Sequence, residues 1–197
     1  MDDRVSATLC AMQEQLNLDR PFDAQLDHVR DAPADSGRLE LIVRRPAEGE
    51  RELLDEAYLD LVTGLVGDRW ADRIPGSTPI YLSAQLTVTS TRVMAVIEPD
   101  RERWPLAGDQ LFVDLDLSVE NLPPGSRLAV GSAVLEISET PHTGCAKYSA
   151  RFGSDALRWI NSPTGRAYRM RGLNARIVQA GTVRLGDTVR KVGPAIA

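Results

Sequence analysis

The chain has 197 residues, 43% of them hydrophobic and 26% charged, with a net charge of −5 and a pI near 5.1. That length suits one compact domain with its own core and no need of a disulfide framework. The acidic balance speaks against a general nucleic-acid binder, and no apolar run approaches the roughly 20 residues of a membrane helix.

The opening MDDRVSATLC lacks a basic stretch followed by an apolar one, so no signal peptide is expected. Its two cysteines, Cys10 and Cys145, lie far apart, which points to a reducing cytoplasm. Val5, Leu9, Met12 and Leu16 fall at helical spacing and predict a short amphipathic helix that contains Cys10. Residues 17–37 are rich in Asp and Pro and read as irregular, with helical propensity around Ala24–Val29. Arg38–Arg44 (RLELIVR) reads as a strand stopped by Pro46. Glu50–Asp60, charge-rich with Leu53, Leu54, Ala57 and Tyr58, reads as a short helix or helical turn. These elements make residues 1–60 an extension packed on, or continuous with, a domain over 61–197.

Beyond residue 78 the apolar period becomes two. Ile80–Ser90 is rich in β-branched and apolar residues. In Gln110–Ser118, Leu111, Val113, Leu115 and Leu117 share one face, with Phe112, Asp114 and Asp116 on the other. Gly131-Ser132 between apolar runs predicts a hairpin over Arg127–Ile137, with a type II′ turn. Near the C-terminus, Gly181 and Gly186-Asp187 separate further valine-bearing runs. Ser154–Ile160 (SDALRWI) predicts a helical stretch capped by Ser154 or Asp155. The expected architecture is a mainly β, β-rich α+β barrel with a few short peripheral helices.

Scarce chemistry collects in Pro141–Tyr148 (PHTGCAKY), which holds one of two histidines, one of two cysteines and one of two lysines. It follows the Ala133–Ile137 strand and reads as a connection, where a rigid scaffold presents functional groups. Gly144 permits close approach of a ligand to the backbone, and His142 and Lys147 are placed to lower the Cys145 thiol pKa. A thiolate attacks sulfur, carries a persulfide or ligates a soft metal. The competing reading is a small buried cysteine with no chemistry. A structural zinc site lacks its paired ligands, and no GxGxxG or GxxxxGK[ST] loop is present. Downstream, Arg166, Arg169 and Arg171 fall within six residues. If that segment is extended, Arg169 and Arg171 share a face, as an anion site or as a solvated outer strand face.

Four blocks in order, GLVGDRW (64–70), NLPPGSRLAVGSAVLEIS (121–138), PHTGCAKY and RMRGLNARIVQAGTVRLGDTVRKV (169–192), resemble a MOSC domain. That module is named after the C-terminal part of molybdenum-cofactor sulfurases, and the likeness is to its small, stand-alone bacterial members. Trp70 stands where the family often has His. The resemblance implies a β-barrel and a cysteine, matched by Cys145, that ligates molybdenum of a pterin cofactor or carries sulfur as a persulfide. His142 and Lys147 are implied as tuners or proton donors beside it. Arg169 and Arg171, with Arg166, are implied to hold the cofactor phosphate, and Gly144, Asn174, Asp68 and Arg69 to complete the cofactor set. The implied reaction is reduction of N-hydroxylated substrates; a sulfur-carrying role implies a separate pyridoxal-phosphate-dependent desulfurase, and a reductase implies a redox partner. A non-catalytic ligand-binding barrel is the third alternative.

Overall fold

The computed structural model describes residues 22–70, 72 and 82–193. The expected helix over Val5–Leu16, with Cys10, lies outside the described residues, as do Ile80 and Tyr81. In chain order the strands are β1 (Ser36–Arg44), β2 (Glu52–Leu53), β3 (Glu56–Asp60), β4 (Gly64–Leu65), β5 (Leu86–Ser90), β6 (Leu111–Asp114), β7 (Arg127–Val130), β8 (Ala133–Ile137), β9 (Leu173–Gln179), β10 (Gly181–Arg184) and β11 (Thr188–Val192). The helices are α1 (Leu26–Arg30), α2 (Thr91–Ile97), α3 (Ala146–Asn161) and α4 (Pro163–Ala167), with 3₁₀ turns at Asp23–Gln25 and Arg101–Ala107.

Seven strands close a barrel in the order β11-β7-β8-β9-β5-β6-β1, and β1 returns to β11 with Ser36 opposite Arg190. Closure removes the free edges that an open sheet would expose. Every neighbour in the barrel is antiparallel except β5 and β6. A parallel pair cannot be joined by a tight turn, so the chain crosses over through α2 and the Arg101–Ala107 turn. Ser90 starts that crossover by accepting the Val93 amide at its hydroxyl, 3.5 Å away. A small sheet, β10-β3-β4, stands beside the barrel.

Alternation along the strands builds two apolar layers. Leu39, Val88, Leu111, Val113, Leu128, Leu135 and Val189 fill the barrel. Phe112, on the opposite face of β6, packs outside with Met94, Trp104, Tyr148, Trp159 and Ile160 beneath the helices. The expected two-faced pattern of 111–117 is therefore real, and its one apolar exception serves the outer layer. On β1 the register with β6 shifts between Leu39 and Leu41. This bulge moves the alternation by one residue, so Leu39 and Ile42 both point inward.

Two expectations are corrected. Glu50–Asp60 is not helical but forms β2 and β3, with Ala57 and Leu59 buried between exposed Glu56 and Tyr58. The same letters satisfy helical spacing, but β3 gains its ladder from β10, far along the chain, from Leu59↔Gly181 to Glu56↔Arg184. The segment after the reactive loop is helical earlier than expected, because α3 begins at Ala146. Its predicted half, from Ser154 onward, is set off by Gly153, whose φ of 91° breaks the helix in two. Among the described residues no helix is long and apolar enough to cross a membrane.

Leu135 is fully buried in the barrel, whereas Val119 is 45% exposed. Leu135→Ala is expected to lower stability in urea unfolding by about 2–5 kcal/mol, and Val119→Ala by less than about 0.5 kcal/mol.

Candidate functional site

The 3₁₀ turn Arg101–Ala107 ends in a left-handed Gly108, whose amide donates to the Pro105 carbonyl at 3.1 Å, and the carbonyls after Pro105 have no partner within the turn. One arginine takes each of four successive carbonyls. Arg51 Nε donates to Pro105 at 3.2 Å, Arg151 Nη1 to Leu106 at 2.5 Å, Arg171 Nη2 to Ala107 at 2.9 Å and Arg45 Nη1 to Gly108 at 2.8 Å. The cations come from the β1–β2 connection, α3 and the α4–β9 connection, and the negative end of one short turn collects them.

Two buried carboxylates then orient two of these arginines. Asp68, its side chain fully buried, accepts the Arg45 backbone amide and two of its guanidinium donors, all within 2.9 Å, and also the Trp70 amide. Asp109, also fully buried, receives Arg171 Nη1 at 2.6 Å. The Arg171 guanidinium lies over the Tyr148 ring, 4.9 Å from its centroid. On the other side of Asp109, His142 Nδ1 stands 3.5 Å from Oδ1 without a hydrogen bond between them, and neither atom has a hydrogen-bond partner among the described residues. Burial, followed by the Arg171 charge, pushes the His142 pKa down to about 4, with Asp109 opposing. The imidazole is therefore neutral at neutral pH.

Cys145 is the residue immediately before α3, with an exposed thiol. Its carbonyl accepts the Tyr148 and Ser149 amides at 2.9 and 3.1 Å, and its sulfur does not cap the helix. The first-turn amides still favour negative charge at the sulfur. They hold the thiol below its ordinary pKa, the Tyr148 amide most strongly and the Lys147 amide next; the Arg171 and Lys147 charges add to this, while partial burial opposes it. Asn161, from the far end of α3, grips Gly144: its Oδ1 accepts the Gly144 amide at 3.2 Å and its Nδ2 donates to the carbonyl at 3.4 Å. A Cβ at position 144 would stand 2.6 Å from Leu157 Cδ1 and 2.7 Å from Ile160 Cδ1, so any larger residue would require those two side-chain ends to shift.

Two cavities flank this loop. The first, about 410 Å³, is lined by Arg45, Arg51, Arg69, Lys147 and Arg151, with Glu48 its one acid. Among the described residues no carboxylate pairs with Arg51, Arg69 or Arg151, and the Lys147–Glu48 pair is exposed at 3.4 Å. Burial, then repulsion from Arg151 and Arg45, lowers the Arg51 pKa, the signature of cations crowded together. The second cavity, about 400 Å³, is lined by His142, Thr143, Asn161, Arg166, Arg169 and Leu173, among others.

The arrangement of the downstream arginines differs from the extended face expected. Arg166 lies in α4, and Arg169 follows it in a turn with φ of 44°. Arg169 donates to the Leu122 carbonyl at 2.6 Å and the Leu117 carbonyl at 3.4 Å, while Arg171 turns inward to Asp109. Gly165 packs its Cα against the Trp159 and Ile160 carbonyls, an approach that a Cβ would block, and so permits the tight turn that the strand pattern missed. Asn174 donates to the Thr140 carbonyl at 3.1 Å and fixes the loop to β9. Of the sequence-derived set, Lys147 and Arg69 share the first cavity, His142, Arg166, Arg169 and Arg171 share the second, and Asp68 orients Arg45. Arg45, Arg51, Arg151, Asp109 and Asn161 were not anticipated; they are scattered, and no local motif marks them.

The sequence pattern of the MOSC domain matches residues 68–190, more than half of the chain. The chain belongs to the MOSC domain family. Its fold is similar to that of the YuaD protein of Bacillus subtilis, at 17% identity and a TM-score of 0.58, over 78% of this chain and 94% of that one. It is also similar to YiiM from Escherichia coli, at 19% identity and a TM-score of 0.53, over 80% of this chain and 71% of that one. YiiM from Geobacillus stearothermophilus matches at 14% identity and a TM-score of 0.51, over 84% and 77% of the two chains. No curated protein matches the sequence. At these identities the likeness to solved structures concerns the MOSC fold.

Two outcomes follow from the titrating groups of this MOSC domain. In a Cys10→Ser background, the alkylation rate of Cys145 should reach half its maximum below the free-thiol pH of about 8.5. Lys147→Met should move that midpoint upward; a midpoint at or above the free value would show an unactivated thiol. For His142, the unfolded chain takes up a proton near pH 6.5 and the folded chain only near pH 4. Stability should therefore fall as pH drops through that window, by roughly 3 kcal/mol at most, and level off below it. His142→Gln should flatten the slope in urea midpoints measured across the same range.

Proposed function

We propose that this MOSC domain binds a molybdenum–pterin cofactor through the Cys145 thiolate and works in molybdenum or sulfur chemistry. The observation that carries the reading is the pairing of an exposed, thiolate-favouring cysteine with a cavity that begins at Lys147, two residues along the chain, where Arg51, Arg69 and Arg151 crowd without carboxylate partners among the described residues. A thiolate is a soft ligand suited to such a metal, and arginines beside it suit an anionic phosphate. Among the described residues no three His, Cys, Asp or Glu side chains come together to form a metal site of their own, so Cys145 would be the protein's ligand.

The residues divide the work by place. Cys145 would ligate the metal, and Arg51, Arg69, Arg151 and Lys147 would hold the phosphate. Arg45, pinned between Asp68 and the Gly108 carbonyl, sets the depth of that cavity. The arginines shown bonding the Pro105–Gly108 carbonyls are ordered beforehand, so little side-chain entropy remains to be lost on binding. This moves the phosphate site away from Arg171, whose guanidinium is engaged by Asp109 and the Ala107 carbonyl, and from Arg169, which lines the second cavity. His142, kept neutral by burial, can offer a hydrogen bond beside the site, and the Lys147 side chain can offer hydrogen-bond donors. When bound, the cofactor would supply redox chemistry, for which reduction of N-hydroxylated substrates is the implied class.

A second reading is a metal-free sulfur carrier, favoured by the exposure of the Cys145 thiol to a docking partner. The Cys145 thiolate would attack the outer sulfur of a desulfurase persulfide, and the desulfurase cysteine would leave as its thiolate.

Expression in a host that makes the cofactor, followed by molybdenum and pterin analysis, tests the first reading. Wild type should retain both, Cys145→Ser should lose the metal, and Arg51→Gln with Arg69→Gln should lower pterin occupancy at least about tenfold. Wild type emerging without molybdenum would overturn it. Intact-mass measurement after incubation with a desulfurase and cysteine tests the second. A gain of one sulfur atom should appear in wild type and vanish in Cys145→Ser.

A further inference from the structure

The second cavity differs in chemistry from the first and shares no lining residue with it. The chain from Pro141 to Lys147 runs from one to the other, which places Cys145 between them. Val119, Pro124, Ile160 and Leu173 supply apolar walls, where the arginine-lined first cavity has Trp70 and Ala150. At about 400 Å³ the space suits a small organic molecule.

Charge narrows the ligand further. Arg171 lines this cavity, but Asp109 neutralises it. Arg166 and Arg169 have no carboxylate partner among the described residues. Arg169 is held at Nη1 by the Leu117 and Leu122 carbonyls, and Arg166 at Nε by the Asn161 carbonyl, which leaves each guanidinium with donors to offer. Glu139 is the one acid in the lining whose charge is not already paired. Two free cations against one acid leave room for a single negative charge, and two guanidinium groups favour a planar, bidentate anion. Across the cavity, the hydroxyl of Thr143 and the neutral His142 offer further hydrogen bonds.

We propose that this cavity binds a small organic monocarboxylate with an apolar body. Its carboxylate meets Arg166 and Arg169, and its hydrocarbon part packs on Ile160, Leu173 and Val119. A dianionic phosphate is disfavoured here by Glu139 and belongs in the first cavity. The proposal concerns the metal-free protein and does not rest on Cys145 ligating a metal.

The test is an NMR titration of the metal-free full chain with phenylbutyrate, alongside phenylbutanol and inorganic phosphate. Phenylbutyrate should bind saturably at about millimolar concentration, as expected of so small a ligand, and at least tenfold more tightly than phenylbutanol. Its amide shifts should centre on Thr143, Gly172 and Leu173, whereas phosphate should move Lys147 and Arg151. Arg166→Gln should weaken phenylbutyrate about tenfold, and Arg190→Gln on the exposed face of β11 should not. Val119→Trp, at the 45% exposed rim, should block binding with the spectrum otherwise retained. Equal binding of the alcohol, unchanged affinity in both Arg166→Gln and Val119→Trp, or shifts centred on Lys147 and Arg151 would each overturn the proposal.

Discussion

Four arginines converge on four consecutive carbonyls, Pro105 to Gly108, and most of the site geometry descends from that convergence. The Leu106 and Ala107 carbonyls lack a partner in the turn because a short 3₁₀ turn ends there, Pro105 also accepting the Gly108 amide, and the turn exists because a parallel β5–β6 pair requires a crossover. A consequence of barrel topology thus becomes an electrostatic anchor. The four arginines come from three parts of the chain, so the anchor also joins the β1–β2 connection, which supplies Arg45 and Arg51, to α3 and the α4–β9 connection. Removing one guanidinium would leave a carbonyl, and for Arg171 also a buried Asp109 carboxylate, without its partner. Breaking a buried ion pair from one side commonly removes about 3–5 kcal/mol of stability.

The same arrangement concentrates positive charge in a chain whose net charge is −5. Asp68 and Asp109 are fully buried and each serves one arginine, so Arg51, Arg69 and Arg151 are left without carboxylates. Backbone carbonyls compensate only partial charge. Burial, then repulsion from Arg151 and Arg45, lowers the Arg51 pKa, whereas the Cys145 thiol is held down first by the Tyr148 and Lys147 amides and only then by the Arg171 and Lys147 charges. Thiol activation and cation crowding therefore have different main sources, the start of α3 for the first and the Pro105–Gly108 carbonyls for the second, and α3, which follows Cys145 and carries Arg151, brings them together. His142 belongs to this system through Asp109, and its burial keeps it uncharged where a further cation would be repelled.

Legibility in the sequence followed the range of the interactions. The barrel strands with clean alternation, such as Leu111–Asp114, and the hairpin at Gly131-Ser132 were readable because their signals are local. Glu52–Asp60 was not, because Leu53, Leu54, Ala57 and Tyr58 satisfy helical spacing and only pairing with Gly181–Arg184 selects the strand. Arg169 and Arg171 looked like one extended face, yet a turn braced by Gly165 sends one to the Leu117 and Leu122 carbonyls and the other to Asp109. Cys145, Gly144 and Lys147 were found as a cluster of rare residues. Asn161, which holds Gly144 in place, carries no sign of that task in its neighbours.

By itself, the sequence determined the MOSC family, the β-rich class and the loop that presents Cys145, since block order, period-two patterning and turn glycines are written along the chain. Tertiary structure alone decided which cations surround that loop, which of them are already neutralised, and that two cavities of unlike chemistry flank the thiol. Charge pairing depends on proximity through space, and residues as far apart as Arg45, Asp109 and Arg171 become neighbours only when the barrel closes.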